Sequence, residues 1–171
     1  MHSIVLRRRA LVAVVLLTTA AWSLAENSSD WLYYGGDQGG RHYSNADQIN
    51  RDNVDQLGVA WVHRSGDMQR YGVEMEKTST QSTPILLPAE AGESLVYWTP
   101  FNRGIALERG SGRQRWEFGA EIDRRGDRPF RCRGVSYTLD LKVPKEQACR
   151  HRLYMGTHDR NLWALDAVTG E

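Results

Sequence analysis

The stretch ALERGSGRQRW runs from Ala106 to Trp116, and its opening returns as ALDAVTGE from Ala164 to Glu171, an offset of 58 residues (164 − 106). The same offset pairs Leu95 with Leu153, Thr99 with Thr157, Leu107 with Leu165 and Gly112 with Gly170. A fixed offset carried through strand, turn and strand marks a repeat architecture, in which one unit buries its apolar face only against its neighbours. Two copies imply more. The chain is therefore expected to be the front part of a longer protein, the second copy stopping before a counterpart of Trp116.

Around the repeated turn the signals are those of short strands. Glu108 to Gly112 carries hairpin chemistry, with Gly110 and Gly112 expected to supply the positive φ angles of a tight reversal. Trp116 follows on the returning strand, where a large ring can lie across the neighbouring repeat. Apolar and β-branched runs punctuated by Gly, Pro or Asn predict strands at Trp31 to Tyr34, Gly58 to His63, Thr83 to Leu87, Leu95 to Trp98, Gly104 to Leu107 and Gln114 to Phe118. Gly35 to Gly40 reads as loop, and Asn50 as the N-cap of a brief helical turn through Asn53 and Val54. No long amphipathic helix is visible. The economical reading is all-β, built from repeated four-stranded sheets, with a propeller as its closed form. Gly119 to Arg131 and Leu139 to Cys149 interrupt the rhythm, and loops of that length are usually functional or disordered.

Residues 1–25 stand apart from the fold. Arg7, Arg8 and Arg9 precede an apolar run from Ala10 to Ala21, and Ser23-Leu24-Ala25 places small residues where a signal peptidase reads. The run is shorter than the roughly 20 residues that span a bilayer. A cleavable secretory signal followed by a single domain over residues 26–171 is the expectation. Removing three arginines takes the formal charge of +1 to −2 for residues 26–171 (+1 − 3), which is no nucleic-acid-binding balance. The basic residues gather at Arg124, Arg125, Arg128, Arg131 and Arg133, as a solvated loop or as an anion site. Cys132 and Cys149 are the only cysteines. They are either a disulfide, worth about 3 kcal/mol by chain entropy, or two separate buried thiols. His2, His42, His63, His151 and His158 show no metal-binding spacing.

The chain resembles the pyrroloquinoline quinone (PQQ) dependent dehydrogenases. The resemblance rests on Trp31 through Tyr43-Ser44, on Gln48 to Val54 with Leu57 and Ala60-Trp61, on Thr83-Pro84, and on Thr99-Pro100-Phe101-Asn102-Arg103. It continues through Cys132-Arg133-Gly134-Val135-Ser136-Tyr137 and the Ala164-Leu165-Asp166 to Gly170 turn. The Cys-Arg-Gly-Val-Ser-Tyr string and the later Cys149 look most like the glucose and quinate dehydrogenase group. The adjacent cysteine pair usual in methanol and ethanol enzymes is lacking, since Arg128, Pro129, Phe130 and Arg131 stand there.

The resemblance implies an eight-bladed β-propeller, of which this chain holds roughly the first two blades, and a periplasmic oxidoreductase acting on a sugar or other alcohol. Its electrons would pass to a quinone or cytochrome acceptor, with no nucleic acid and no stable membrane span involved. PQQ, a tricarboxylate ortho-quinone, would lie near the propeller axis beside a calcium ion that polarises its reactive carbonyl. By motif position Arg133 would stabilise negative charge on the cofactor, and an arginine pairing with a local acid is the alternative. Gln81, two residues before Thr83-Pro84, stands where many members place a glutamate bonded to a cofactor carboxyl group, and is either that contact or a strand-edge glutamine. The family's calcium ligands and catalytic aspartate belong to later blades. No catalytic or metal residue is therefore assigned here, and these 171 residues alone are expected to be inactive. A non-catalytic periplasmic propeller resembling outer-membrane assembly factors is the other reading, although those proteins need no Cys-Arg-Gly-Val-Ser-Tyr segment.

Overall fold

A computed structural model describes residues 31–119 and 131–171, apart from the side chains of Met75 and Lys77. The expected signal segment and Arg124, Arg125 and Arg128 lie outside the described residues. Among the described residues, nine strands form three sheets. Strands β2 (Ile85–Leu86), β3 (Ser94–Trp98), β4 (Arg103–Glu108) and β5 (Gln114–Gly119) make an antiparallel four-stranded sheet in that order. Strands β7 (Ser136–Leu139), β8 (His151–Gly156) and β9 (Leu162–Asp166) make a three-stranded antiparallel sheet. Strand β1 (Ser79–Thr80) pairs in parallel with β6 (Arg131–Cys132).

The two larger sheets repeat one design. Leu95 faces Leu107 across β3 and β4, and Leu153 faces Leu165 across β8 and β9; Val96 with Ala106 recurs as Tyr154 with Ala164. The 58-residue offset is thus a register. It breaks one strand earlier, where Ile85 and Leu86 correspond to Ser136 and Tyr137 at an offset of 51 (136 − 85). The β7–β8 connection is longer by the difference, and it holds the irregular stretch after Leu139.

The repeated turn has the same bonds in both copies. Gly112 donates its N–H to the Glu108 carbonyl at 2.9 Å, and Gly170 donates to the Asp166 carbonyl at 2.8 Å. Gly112 has φ +69° and Gly170 φ +81°. Gly110, expected to share that role, does not have a positive φ. The Ser111 hydroxyl donates to the Glu108 carboxylate, and Thr169 does the same toward Asp166. Each glycine also makes room for a tryptophan. A Cβ on Gly170 would sit 2.7 Å from ring atoms of Trp116, and one on Gly112 would sit 2.5 Å from ring atoms of Trp61. Trp116 Nε1 donates to the Ala167 carbonyl at 3.2 Å, and Trp61 Nε1 donates to the Arg109 carbonyl at 3.1 Å. Arg109 and Ala167 are themselves one repeat apart. A tryptophan from one unit is therefore clamped on the glycine turn of the next.

Alternation sends the two faces of each sheet to different neighbours. Val96, Trp98 and Ala106 of the first sheet pack with Tyr137, Leu153, Met155 and Leu165 of the second. The other face of the first sheet carries Leu95 and Leu107, the counterparts of Leu153 and Leu165. It lines a cavity of about 350 Å3 beside Trp61 and His63.

Several sequence expectations change. Gly58 to His63 is not a strand: no described segment offers it a ladder, and Val59 and Val62 stand exposed. Trp31 to Tyr34 is reduced to a Tyr33–Gly36 bridge closing a tight turn. The helical turn is a 3-10 turn at Val54–Gln56 with Asn53 at its N-cap; Asn50 Oδ1 instead accepts from the Asp52 N–H at 2.9 Å. A short helix, α1 (Asp67–Tyr71), docks through Asp67, whose carboxylate accepts from buried Arg103 at 2.5 Å. Arg103 Nε also donates to Glu117 at 2.9 Å, and Tyr71 stacks on Phe101.

The Asp166 carboxylate binds the second turn at several points. It accepts from the N–H groups of Cys149 at 2.6 Å and of Val168 and Thr169, each at 2.9 Å. Burial pushes its acidity the other way, but these N–H bonds prevail and hold the carboxyl below the ordinary aspartate value. A depressed carboxyl contributes stability that is whole above the ordinary value of 3.8 and is lost as pH falls through the lower folded value. The urea midpoint is therefore expected to fall between pH 6 and pH 3, and Asp166→Asn is expected to flatten part of that fall. An unchanged pH dependence in the variant would contradict this role.

Candidate functional site

The short parallel ladder β1–β6 sets Ser79 beside Arg131 and Thr80 beside Cys132. The residues that follow are Gln81 and Arg133, and they meet: Arg133 Nε donates to Gln81 Oε1 at 2.8 Å. One step further, the Ser82 hydroxyl donates to the Gly134 carbonyl at 2.7 Å and accepts from the Trp98 N–H at 3.3 Å. Three successive residues of the first unit thus hold three successive residues entering the second. A side chain on Gly134 would displace Met155, since a Cβ there would lie 2.6 Å from Met155 Sδ.

A cavity of about 470 Å3 opens at this corner, in the volume range of small-molecule sites. Arg131 and Arg133 supply two cations to its lining, Ser136 and Tyr154 supply hydroxyls, and no acidic side chain lines it among the described residues. Arg131 is exposed, and its N–H donates to His158 Nε2 at 3.2 Å. Such a lining attracts anions, because guanidinium groups bind carboxylates through paired, charge-assisted hydrogen bonds.

Cys132 is buried beneath this surface with its sulfur 4.0 Å from Met155 Sδ. Burial pushes its thiol up to about 11, although a Gly134 backbone bond acts in the opposite sense. It is a packed thiol rather than a nucleophile. Cys132 and Cys149 are both free thiols, Cys132 buried as expected and Cys149 only half-buried.

The two residues singled out from the sequence, Gln81 and Arg133, are brought together by the fold. No local acid pairs with Arg133 among the described residues. Sequence reasoning missed Ser82, Met155 and His158. Ser82 carried one usable signal, its place beside the Thr83-Pro84 motif; Met155 and His158 carried none, because only the approach of the second sheet brings them to the corner. No group of three or more His, Cys, Asp or Glu that could hold a metal ion occurs among the described residues.

Comparison with known proteins agrees with the geometry. Residues 31–171 match the family described as PQQ: glucose/ethanol/alcohol dehydrogenase, β-propeller domain. The quinate/shikimate dehydrogenase (quinone) of Acinetobacter baylyi is 33% identical over 162 residues, covering 85% of this chain and 19% of that protein. The quinoprotein glucose dehydrogenase of Escherichia coli is 34% identical over 149 residues, covering 83% of this chain and 18% of that protein. Among solved structures, the quinohemoprotein alcohol dehydrogenase of Comamonas testosteroni superposes with a TM-score of 0.63 at 26% identity, covering 87% of this chain and 19% of that one. The chain spans about a fifth of the length of these relatives. Tandem sheets clamped tryptophan to glycine, an arginine-lined cavity where they meet and the match over residues 31–171 give one conclusion: the chain belongs to the PQQ-dependent glucose/ethanol/alcohol dehydrogenase β-propeller family.

Proposed function

We propose that residues 26–171 form the first part of a periplasmic quinoprotein dehydrogenase that oxidises a sugar or other alcohol and passes electrons to a quinone or cytochrome acceptor. The observation that carries this reading is the corner where Arg133, braced by Gln81, lines a cavity with a second arginine and, among the described residues, no acid. A tricarboxylate quinone fits that donor set: guanidinium groups for carboxylates or a quinone oxygen, hydroxyls for neutral contacts, and among the described residues no carboxylate to repel it. When bound, PQQ supplies the two-electron redox chemistry.

The residues of this chain bind and orient. Arg133 offers its Nη groups to an anionic oxygen and lowers the cost of negative charge developing there. Ser82 and the β1–β6 ladder hold the Arg133-Gly134 backbone still, so that the guanidinium approaches from a fixed origin. Calcium, its ligands and the proton-abstracting base are assigned to other parts of the protein. Export through a signal at residues 1–25 accords with the tripartite pattern of that segment.

The Leu95 and Leu107 face supports the propeller reading as well. It repeats the face that Leu153 and Leu165 press against Trp116, and a further sheet seated there would continue the array. Adding PQQ and calcium to the purified full-length protein is expected to produce quinone absorbance and alcohol- or sugar-dependent dye reduction. No spectral change, and no reduction with any alcohol or sugar, would favour the scaffold reading instead.

A further inference from the structure

Gln81 and Arg133 form one unit rather than two independent ligands. The bond from Arg133 Nε to Gln81 Oε1 at 2.8 Å uses only the Nε edge of the guanidinium. Its Nη groups make no hydrogen bond or ion pair with any described residue. Gln81 is itself anchored on both sides, by the Thr80–Cys132 ladder pair before it and by the Ser82–Gly134 bond after it. The long, exposed side chain of Arg133 would otherwise sample many rotamers.

We infer that Gln81 is a positioning residue: a neutral acceptor that fixes the Nε edge of Arg133, so that its Nη edge meets an anionic oxygen of the cofactor with the positive charge undiminished. The inference rests on the quinoprotein reading above. Neutrality matters because a carboxylate at position 81 would pair with the guanidinium and cancel the charge offered to the ligand. An amide provides the same acceptor without that cancellation. Gln81 acts through Arg133, and this separates it from a direct ligand of the cofactor.

The test is a PQQ titration of the full-length apo-protein in calcium-containing buffer, followed by tryptophan fluorescence at low and high salt. Gln81→Glu keeps shape and acceptor and changes only charge. It is expected to weaken PQQ binding about fivefold at low salt and to flatten the salt dependence. Gln81→Ala frees the guanidinium and is expected to weaken binding by a similar factor of about five while keeping the wild-type salt dependence. In an Arg133→Ala background Gln81→Ala should add nothing, because the group it positions is gone. A full additional loss in that background would show that Gln81 contacts the cofactor itself and overturn the inference. So would Gln81→Glu binding with wild-type affinity and salt dependence. If the wild-type protein fails to bind PQQ, the quinoprotein reading fails.

Discussion

Replacing Arg133 with alanine is expected to weaken PQQ binding about tenfold to a hundredfold, the scale of one lost hydrogen bond to a charged group. Among the described residues that line the cavity, no second cation is fixed in the same way. Arg131 lines the same cavity but lacks an amide brace. Arg133→Lys should recover part of the loss, since lysine keeps the charge but lacks the planar fork and the Nε edge that Gln81 grips. The fold should tolerate both variants: Arg133 is exposed, and its backbone is held by Ser82 and the β1–β6 ladder. Equilibrium titration with PQQ checks the prediction, and unchanged affinity in Arg133→Ala would remove this residue from the site.

Trp116→Ala should cost about 3–5 kcal/mol of stability, the range for emptying a large buried aromatic position. The ring lies between the two sheets, covers Gly170 and donates to the Ala167 carbonyl, so its loss opens the joint between repeats. Trp116→Phe should retain most of the packing and lose about 1 kcal/mol with the indole N–H bond. Gly170→Ala attacks the joint from the other side. Its Cβ would press on the Trp116 ring, and φ +81° is costly for any residue with a side chain. Urea unfolding of the full-length protein measures all three, and wild-type stability in Trp116→Ala would contradict the clamp.

Much of this joint could be read from the chain itself. Turn residues recurring at a fixed offset and a tryptophan on the returning strand are local signals, and β3, β4 and β5 fall within a residue of their expected ends because hydrophobic alternation and turn chemistry agree there. Other parts depend on partners distant in sequence. Gly58 to His63 has the composition of a strand but finds no ladder among the described residues, and composition cannot supply one. Strands β1 and β6 are two residues each, too short to leave any periodicity. The longer β7–β8 connection hides the correspondence of Ile85 with Ser136, since the offset changes where the loop grows.

The site shows the same division. Arg133 and Gln81 were visible through motif position, whereas their mutual hydrogen bond was not, because the residues stand 52 positions apart and meet only through the parallel β1–β6 pairing. Met155 shapes the corner by packing directly on Gly134, where a side chain would displace it. No pattern near either residue announces that contact.

A crystal structure of the full-length protein with PQQ and calcium tests the central claim most directly. An Arg133 nitrogen is expected within about 3.2 Å of a PQQ oxygen, with Nε still bound to Gln81. A cofactor bound elsewhere, with Arg133 turned to solvent, would contradict it.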